Sequence, residues 1–229
     1  MQRGRRVPGA ERTLALLVMA VLQHLQTLNF IPIVTLAVLA GLVFLHLSLS
    51  QATILSLAIS AKTMLRLRAL SEPWLLIGLG SQLVHLDDLH IYYNSLSFLH
   101  KGSQLEAPHS RGSLGLAVLL LQLLVLTPAF YVALACAGAA ALPALGLYAA
   151  RAVGFSGVIF GLKAVLQATE EGHAFVGGMR VPAKLAAWGE LVLIQLATPN
   201  ASFLGHLAGI LAGLTVVWAE QKWAARRRR

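Results

Sequence analysis

A chain of 229 residues with 57% hydrophobic and only 12% charged side chains, and a mean hydropathy of +0.73, is too apolar for a water-soluble domain, which carries about 25% charged residues. The net charge of +9 does not mark a nucleic-acid binder. The basic residues gather at the ends, Arg3, Arg5, Arg6 and Arg12 at one and Lys222 with Arg226 to Arg229 at the other, without the interleaved aromatics of a nucleic-acid groove. Basic clusters flanking apolar segments suit the cytosolic leaflet of a membrane. One cysteine, Cys136, excludes an internal disulfide.

The basic start followed by "TLALLVMAVL" imitates a secretion signal, but no small-residue cleavage site follows, so the segment is expected to be retained. Residues 13–30 are interrupted by Gln23, His24, Gln26 and Asn29 and are expected to be amphipathic, interfacial or partly embedded. Residues 31–50 form a clean span of the length a bilayer needs. The stretch 60–83, with Lys62, Arg66, Arg68, Glu72, Pro73 and Trp74, reads as a long loop, partly helical. A helix rich in His, Tyr, Ser and Asn is expected near 84–104, then a polar loop to 112. A strong span follows over 113–138, and an Ala/Gly/Pro-rich connector over 139–152. The remaining elements are a helix near 154–169, a loop over 170–184, a short span over 185–197 and a last one over 202–221.

Taking 31–50 as the first span gives six, an all-α transmembrane bundle with both basic termini cytosolic. The domain reading is a basic, interfacial 1–30, a core over 31–221 and a basic cytosolic tail over 222–229. Lys101, Arg111, Arg180 and Lys184 fall on the cytosolic side in this count, whereas the loop with Lys62, Arg66 and Arg68 does not. If 13–30 also crossed, the count would be seven and the basic ends would oppose each other.

Polar groups in hydrocarbon are costly and usually turn inward. Ser156 stands in "GFSGVIFG" with Gly157 and Gly161 four apart, a pattern that packing alone explains and that is not the elbow of soluble serine hydrolases. His206 stands in "GHLAGILAGL", where Gly205, Gly209 and Gly213 form a ridge for close helix approach. Taken together, two glycine-faced helices can bring a serine hydroxyl to an imidazole, a nucleophile and its base. His90 and Asn94 in "HIYYN" share a helix face and offer N–H groups to a developing oxyanion, or else make a polar helix contact. His85, Asp87, Asp88 and His90 do not face one way on a helix, so a metal site is not expected there. No cofactor is expected. The sequon at Asn200 lies in a very short turn and is expected to be unmodified.

"HIYYN", "GFSG" and "GHLAG", in that order and each on its own segment, resemble the rhomboid intramembrane serine proteases. The likeness covers residues 31 to 221 and is nearest to the rhomboid domain-containing protein 1 type of the endoplasmic reticulum. The resemblance implies a rhomboid-like six-helix bundle in which Ser156 is the nucleophile and His206 the base, with no acid. His90, Asn94 and the Ser156 N–H would serve the oxyanion. Gly154 and Gly157 would permit the turn and close packing, Gly209 would belong to the facing ridge, and Phe160 would pack on the catalytic imidazole. His85, Asp87, Asp88 and His90 would help keep the site wet. The pattern departs from the family in two places. Trp74 is followed by Leu75 rather than Arg, and two extra residues separate Leu105-Glu106 from Gly112-Ser113.

The expected partners are the bilayer and membrane proteins of one or more spans, cleaved within their transmembrane segments. Nucleic acid is not expected. Binding of ubiquitin or a segregase ATPase, which longer relatives perform through soluble tails, is unsupported in a chain that stops at Arg229. The competing readings are a catalytically silent scaffold that passes transmembrane helices to degradation, and a transporter, for which paired broken helices are not found.

Overall fold

A computed structural model describes residues 10–67, 72–168 and 170–228. Arg3, Arg5, Arg6, Arg68 and Arg229, counted above among the basic residues, lie outside the described residues. In chain order the elements are α1 (Ala10–Gln26), α2 (Ile33–Ser48), α3 (Gln51–Ser56), α4 (Ala61–Arg66), α5 (Glu72–Leu83), α6 (Asp88–Glu106), α7 (Gly112–Ala141), a 3-10 turn (Pro143–Leu145), α8 (Ser156–Ala168), strands β1 (His173–Val176) and β2 (Met179–Pro182), α9 (Ala186–Ala197) and α10 (Phe203–Arg227). By length and composition α7 and α10 are long and apolar enough to cross a membrane, with mean hydropathy 2.2 and 1.5 over their most apolar stretches. Shorter apolar helices are α2 and α8.

Helix starts follow local chemistry. Ser50, Ser60, Asp87 and Ser202 each stand just before a helix and accept a hydrogen bond from the N–H three residues on, which satisfies donors the helix itself cannot. α2 begins after Pro32 and has no such cap. Its first N–H groups are served from afar: the buried Glu106 carboxylate accepts from Val34 N–H, Thr35 N–H and the Thr35 hydroxyl, each at 2.8 Å. Ser113 Oγ donates to the same carboxylate at 2.8 Å, so one side chain ties α2, α6 and α7 together. The two extra residues between Glu106 and Gly112 do not disturb this tie. They form a turn closed by Ser110 N–H to Ala107 O and Arg111 N–H to Leu105 O, and Gly112 leaves it at φ +69°.

α8 lies at the centre. From Gly157 to Val165 every residue is buried, the mark of a helix surrounded on all sides. Around it stand α6, α7, α9 and α10, with a core built from Phe98, Leu99, Leu116, Leu119, Phe155 and Leu162. Where the Trp-Arg pair is lacking, Trp74 and Ile77 pack with Met64 and Ile59 against Tyr131 of α7.

α2 runs opposite to α6, with Thr35 at Glu106 and His46 Nε2 bonded to Asp88 Oδ1 at 2.9 Å. α1 lies lengthwise on α6. Thr13, Leu14 and Leu17 share a cleft with His46 and Asp88, and the His24 ring sits 4.6 Å from that of His100. α1 therefore runs along α6 from its start toward His100. A correction concerns 170–184, expected as a loop: it contains an antiparallel hairpin, His173 opposite Pro182 and Val176 opposite Met179, turning at Gly177 and Gly178 with φ +56° and +82°.

Candidate active site

Ser156 opens α8 and His206 lies one turn into α10, whose start is fixed by the Ser202 cap. The two helices interlock through glycine. A Cβ at Gly209 would overlap the Gly157 carbonyl oxygen, and one at Gly213 would overlap that of Gly161. In the other direction a Cβ at Gly157 or Gly161 would come within 3.0 Å and 3.1 Å of the Gly205 and Gly209 oxygens. Backbones this close leave side chains beside the ridge no room to avoid each other. Ser156 Oγ and His206 Nε2 are 2.9 Å apart, with His206 5% exposed. The Phe160 ring, one turn after Ser156, stacks on the imidazole with centroids 4.6 Å apart and planes 28° from parallel.

α8 has 13 residues and so reaches only about 20 Å, short of the roughly 30 Å apolar depth of a bilayer. Its N-terminus lies beside Gly205, near the start of α10, and beside Thr127, midway along the 30-residue α7.

The segment leading into Ser156 is held on several sides. Ala152 and Ile59 exchange N–H···O bonds at 2.9 and 3.0 Å, Gly154 N–H donates to Ser81 O at 2.8 Å, and Tyr131 Oη donates to Ala150 O at 2.9 Å. Gly154 has φ +115°, which glycine alone adopts without strain. A Cβ there would also meet the His90 ring at 2.6 Å. The amide nitrogen of Asn94 lies 3.6 Å from the same point. It is buried without a hydrogen-bond partner among the described residues. The structure thus brings His90 and Asn94 together two residues before Ser156, whose own N–H, at a helix start, has no intrahelical acceptor.

The four residues expected to wet the site part company. Asp87 caps α6 through His90 N–H, Asp88 binds His46, and fully buried His85 lies beneath Phe155, whose N–H donates to its Nε2 at 3.4 Å. His90 meets the serine loop at Gly154 as His85 meets it at Phe155, and the two rings stand edge to edge, 5.0 Å between centroids. A small open cleft beside Ser156, of about 30 Å³, is lined by Ser81, Gln82, Thr127 and Ser202 together with Ile59, Pro128 and Tyr131. Gln82 also has a structural task there. Pro128 has no N–H to give the Leu124 carbonyl, and Gln82 Nε2 donates to that oxygen at 2.7 Å. Among the described residues no group of three or more His, Cys, Asp or Glu side chains could hold a metal.

Lys163 was not singled out from the sequence. It is 5% exposed, its ammonium pairs with Glu190 of α9 and sits 4.7 Å over the Phe160 ring. The signal was a lysine inside the apolar run "GLKAVL", the same criterion that picked out Ser156 and His206.

Comparison with known proteins follows this geometry. A family profile described as the Rhomboid domain matches residues 71–222. The chain is 42% identical over 139 residues to Rhomboid-like protein 14, mitochondrial, of Arabidopsis thaliana, covering 58% of this chain and 40% of that protein. It is 38% identical over 188 residues to Rhomboid-related protein 4 of Homo sapiens, covering 82% and 57%. For the Mus musculus protein of the same name the figures are 38% over 211 residues, covering 92% and 64%. The chain thus spans less than two thirds of the length of each of these relatives.

Proposed function

The chain belongs to the rhomboid family, whose membership together with the apolar helices speaks for a membrane protein, and on that footing we propose that it is a serine endopeptidase cleaving transmembrane segments of membrane proteins through a Ser156–His206 dyad. The observation that carries this reading is the 2.9 Å approach of Ser156 Oγ to His206 Nε2 across helices locked by glycine. A substrate helix partly unwinds, since a peptide bond within a helix is hidden in its hydrogen bonds. His206 Nε2 takes the hydroxyl proton as Ser156 Oγ bonds to the carbonyl carbon. The carbonyl electron pair moves to the oxygen, which His90, Asn94 and the Ser156 N–H receive. The C–N bond then breaks as His206 returns the proton to the leaving nitrogen, and water, deprotonated by His206, releases the acyl group from the serine. Ser81, Gln82, Thr127 and Ser202 are polar side chains that line the otherwise mostly apolar cleft beside Ser156, the place for that water.

The topology proposed is the six-helix core over 31–221, crossing as α2, α6, α7, α8, α9 and α10, with 222–229 a basic cytosolic tail. The alternative in which 13–30 also crosses, giving seven spans and opposed basic ends, is supported by α1: Thr13 neighbours Asp88 at the serine end of the bundle, whereas Arg111 and Glu220 pair at the other end, through two bonds of 2.7 and 2.8 Å. The endoplasmic reticulum membrane is proposed from sequence likeness, and one relative's name says mitochondrial, so imaging the tagged chain against markers of both membranes decides between them. Activity is tested by incubating a single-span substrate in liposomes with wild type, Ser156→Ala and His206→Ala. Cleavage by wild type alone supports the protease. Binding of the substrate helix without cleavage by any of the three supports the silent scaffold.

A further inference from the structure

The dyad has a base without a visible orienting group. In serine hydrolases the second imidazole nitrogen is held by a carboxylate that fixes ring orientation. Here His206 Nδ1 is buried without a hydrogen-bond partner among the described residues. The ring must be aimed by packing, and its aromatic neighbour is Phe160. Ala164, Ala187, Leu191 and Ile210 enclose the Phe160 ring, and one polar group adds a directed hold on its face.

That face is held by a charge. Lys163 follows Phe160 by three residues on α8, so the two lie on one side of the helix, and its ammonium stands over the ring. A cation over an aromatic face is attracted to it, most strongly where both are desolvated, as both residues are here. The ammonium is itself pinned by the Glu190 carboxylate. The chain of contacts runs from α9 through Lys163 and Phe160 to His206, without a gap. Lys163 is enclosed while Glu190 is part-buried, and desolvation of the ammonium offsets much of the attraction, so stability alone does not account for the pair beside the base. We propose that the Lys163–Glu190 pair is a positioning device that aims the His206 imidazole at Ser156 by fixing the Phe160 ring.

This inference rests on the protease reading, and the test separates the two. The full-length chain in liposomes is assayed with a single-span substrate for kcat and KM, and its thermal unfolding midpoint is measured. Lys163→Met keeps the side-chain volume and removes the cation; kcat is expected to fall about tenfold, the scale of a desolvated cation–ring contact, with KM within twofold of wild type. The double variant Lys163→Met with Glu190→Gln leaves no lone charge, so its midpoint is expected at or above that of wild type while kcat stays about tenfold low. Lys163→Arg, whose guanidinium both stacks and pairs, is expected to regain most of kcat. Gln167→Leu breaks the other polar tie between α8 and α9, the bond from Ala187 N–H to Gln167 Oε1, and is expected to lower the midpoint without lowering kcat. Wild-type kcat in the double variant, or a loss of kcat that tracks the midpoint or appears in KM, overturns the positioning role. A wild type that cleaves nothing, or a Ser156→Ala variant that cleaves, overturns the protease reading and this inference with it.

Discussion

A serine is a weak nucleophile until a base takes its proton, and an imidazole is a useful base only while it points at that proton. Ser156 and His206 meet the distance requirement at 2.9 Å. His90 and Asn94 converge on the glycine two residues before the serine, where an oxyanion donor must stand. Asn94→Ala removes a buried N–H that has no other use among the described residues. It is expected to lower kcat on the order of 10²–10³-fold with little change in unfolding midpoint, read from single-turnover cleavage. His85 differs: it supports the Phe155 N–H beneath the serine loop rather than facing the substrate. The four-residue spacing to Asn94 sets His90 apart in the sequence, whereas His85 reads there only as one of the residues wetting the site. The rank of Ser156 and His206 was legible because each interrupts an apolar helix beside a glycine ridge. Lys163 met the same criterion without a motif of its own, and the meaning of its charge needed Glu190, 27 residues away.

At the scale of elements, contact between α8 and α10 is the joint on which the site depends. Gly209→Ala gains up to about 1 kcal/mol of helix propensity, but its methyl would overlap the Gly157 carbonyl, a backbone atom that cannot swing aside. The variant is expected to unfold at lower temperature and to lose cleavage. Gly41→Ala in α2, where nothing lies within 4 Å of the new methyl, is expected to leave both unchanged or raise the midpoint slightly. Gln82→Leu strands the Leu124 carbonyl opposite Pro128, and a loss of about 1–3 kcal/mol is expected for a buried acceptor left unpaired, measured by denaturation in detergent. The glycine ridges were readable because a four-residue repeat has one face. The Gln82 bond was not, because it joins residues 42 apart. The hairpin after α8 was missed: "VGGM" carries a two-glycine turn between strand-forming residues, but the polar surroundings made 170–184 read as a loop.

For the whole molecule, the apolar segments made a mostly helical chain legible, and the three polar motifs fall in order on α6, at the start of α8 and on α10. The placement of α1 could not be read, because the same polar interruptions suit an interface or a helix face turned toward α6. Its lengthwise packing places the two termini of the described chain at opposite ends. Glycosylation acceptor sites inserted before residue 10 and after residue 228 are expected to be modified on the N-terminal side only; modification of neither, with protease protection of neither, would put both ends in the cytosol. The account's central claim is chemical, that His206 activates Ser156 inside this bundle. An alkylphosphonate probe, followed by peptide mass spectrometry of the full chain in liposomes, tests it most directly. The account predicts an adduct on Ser156 that disappears in His206→Ala, whereas an adduct on another residue, or an undiminished one in His206→Ala, would contradict it.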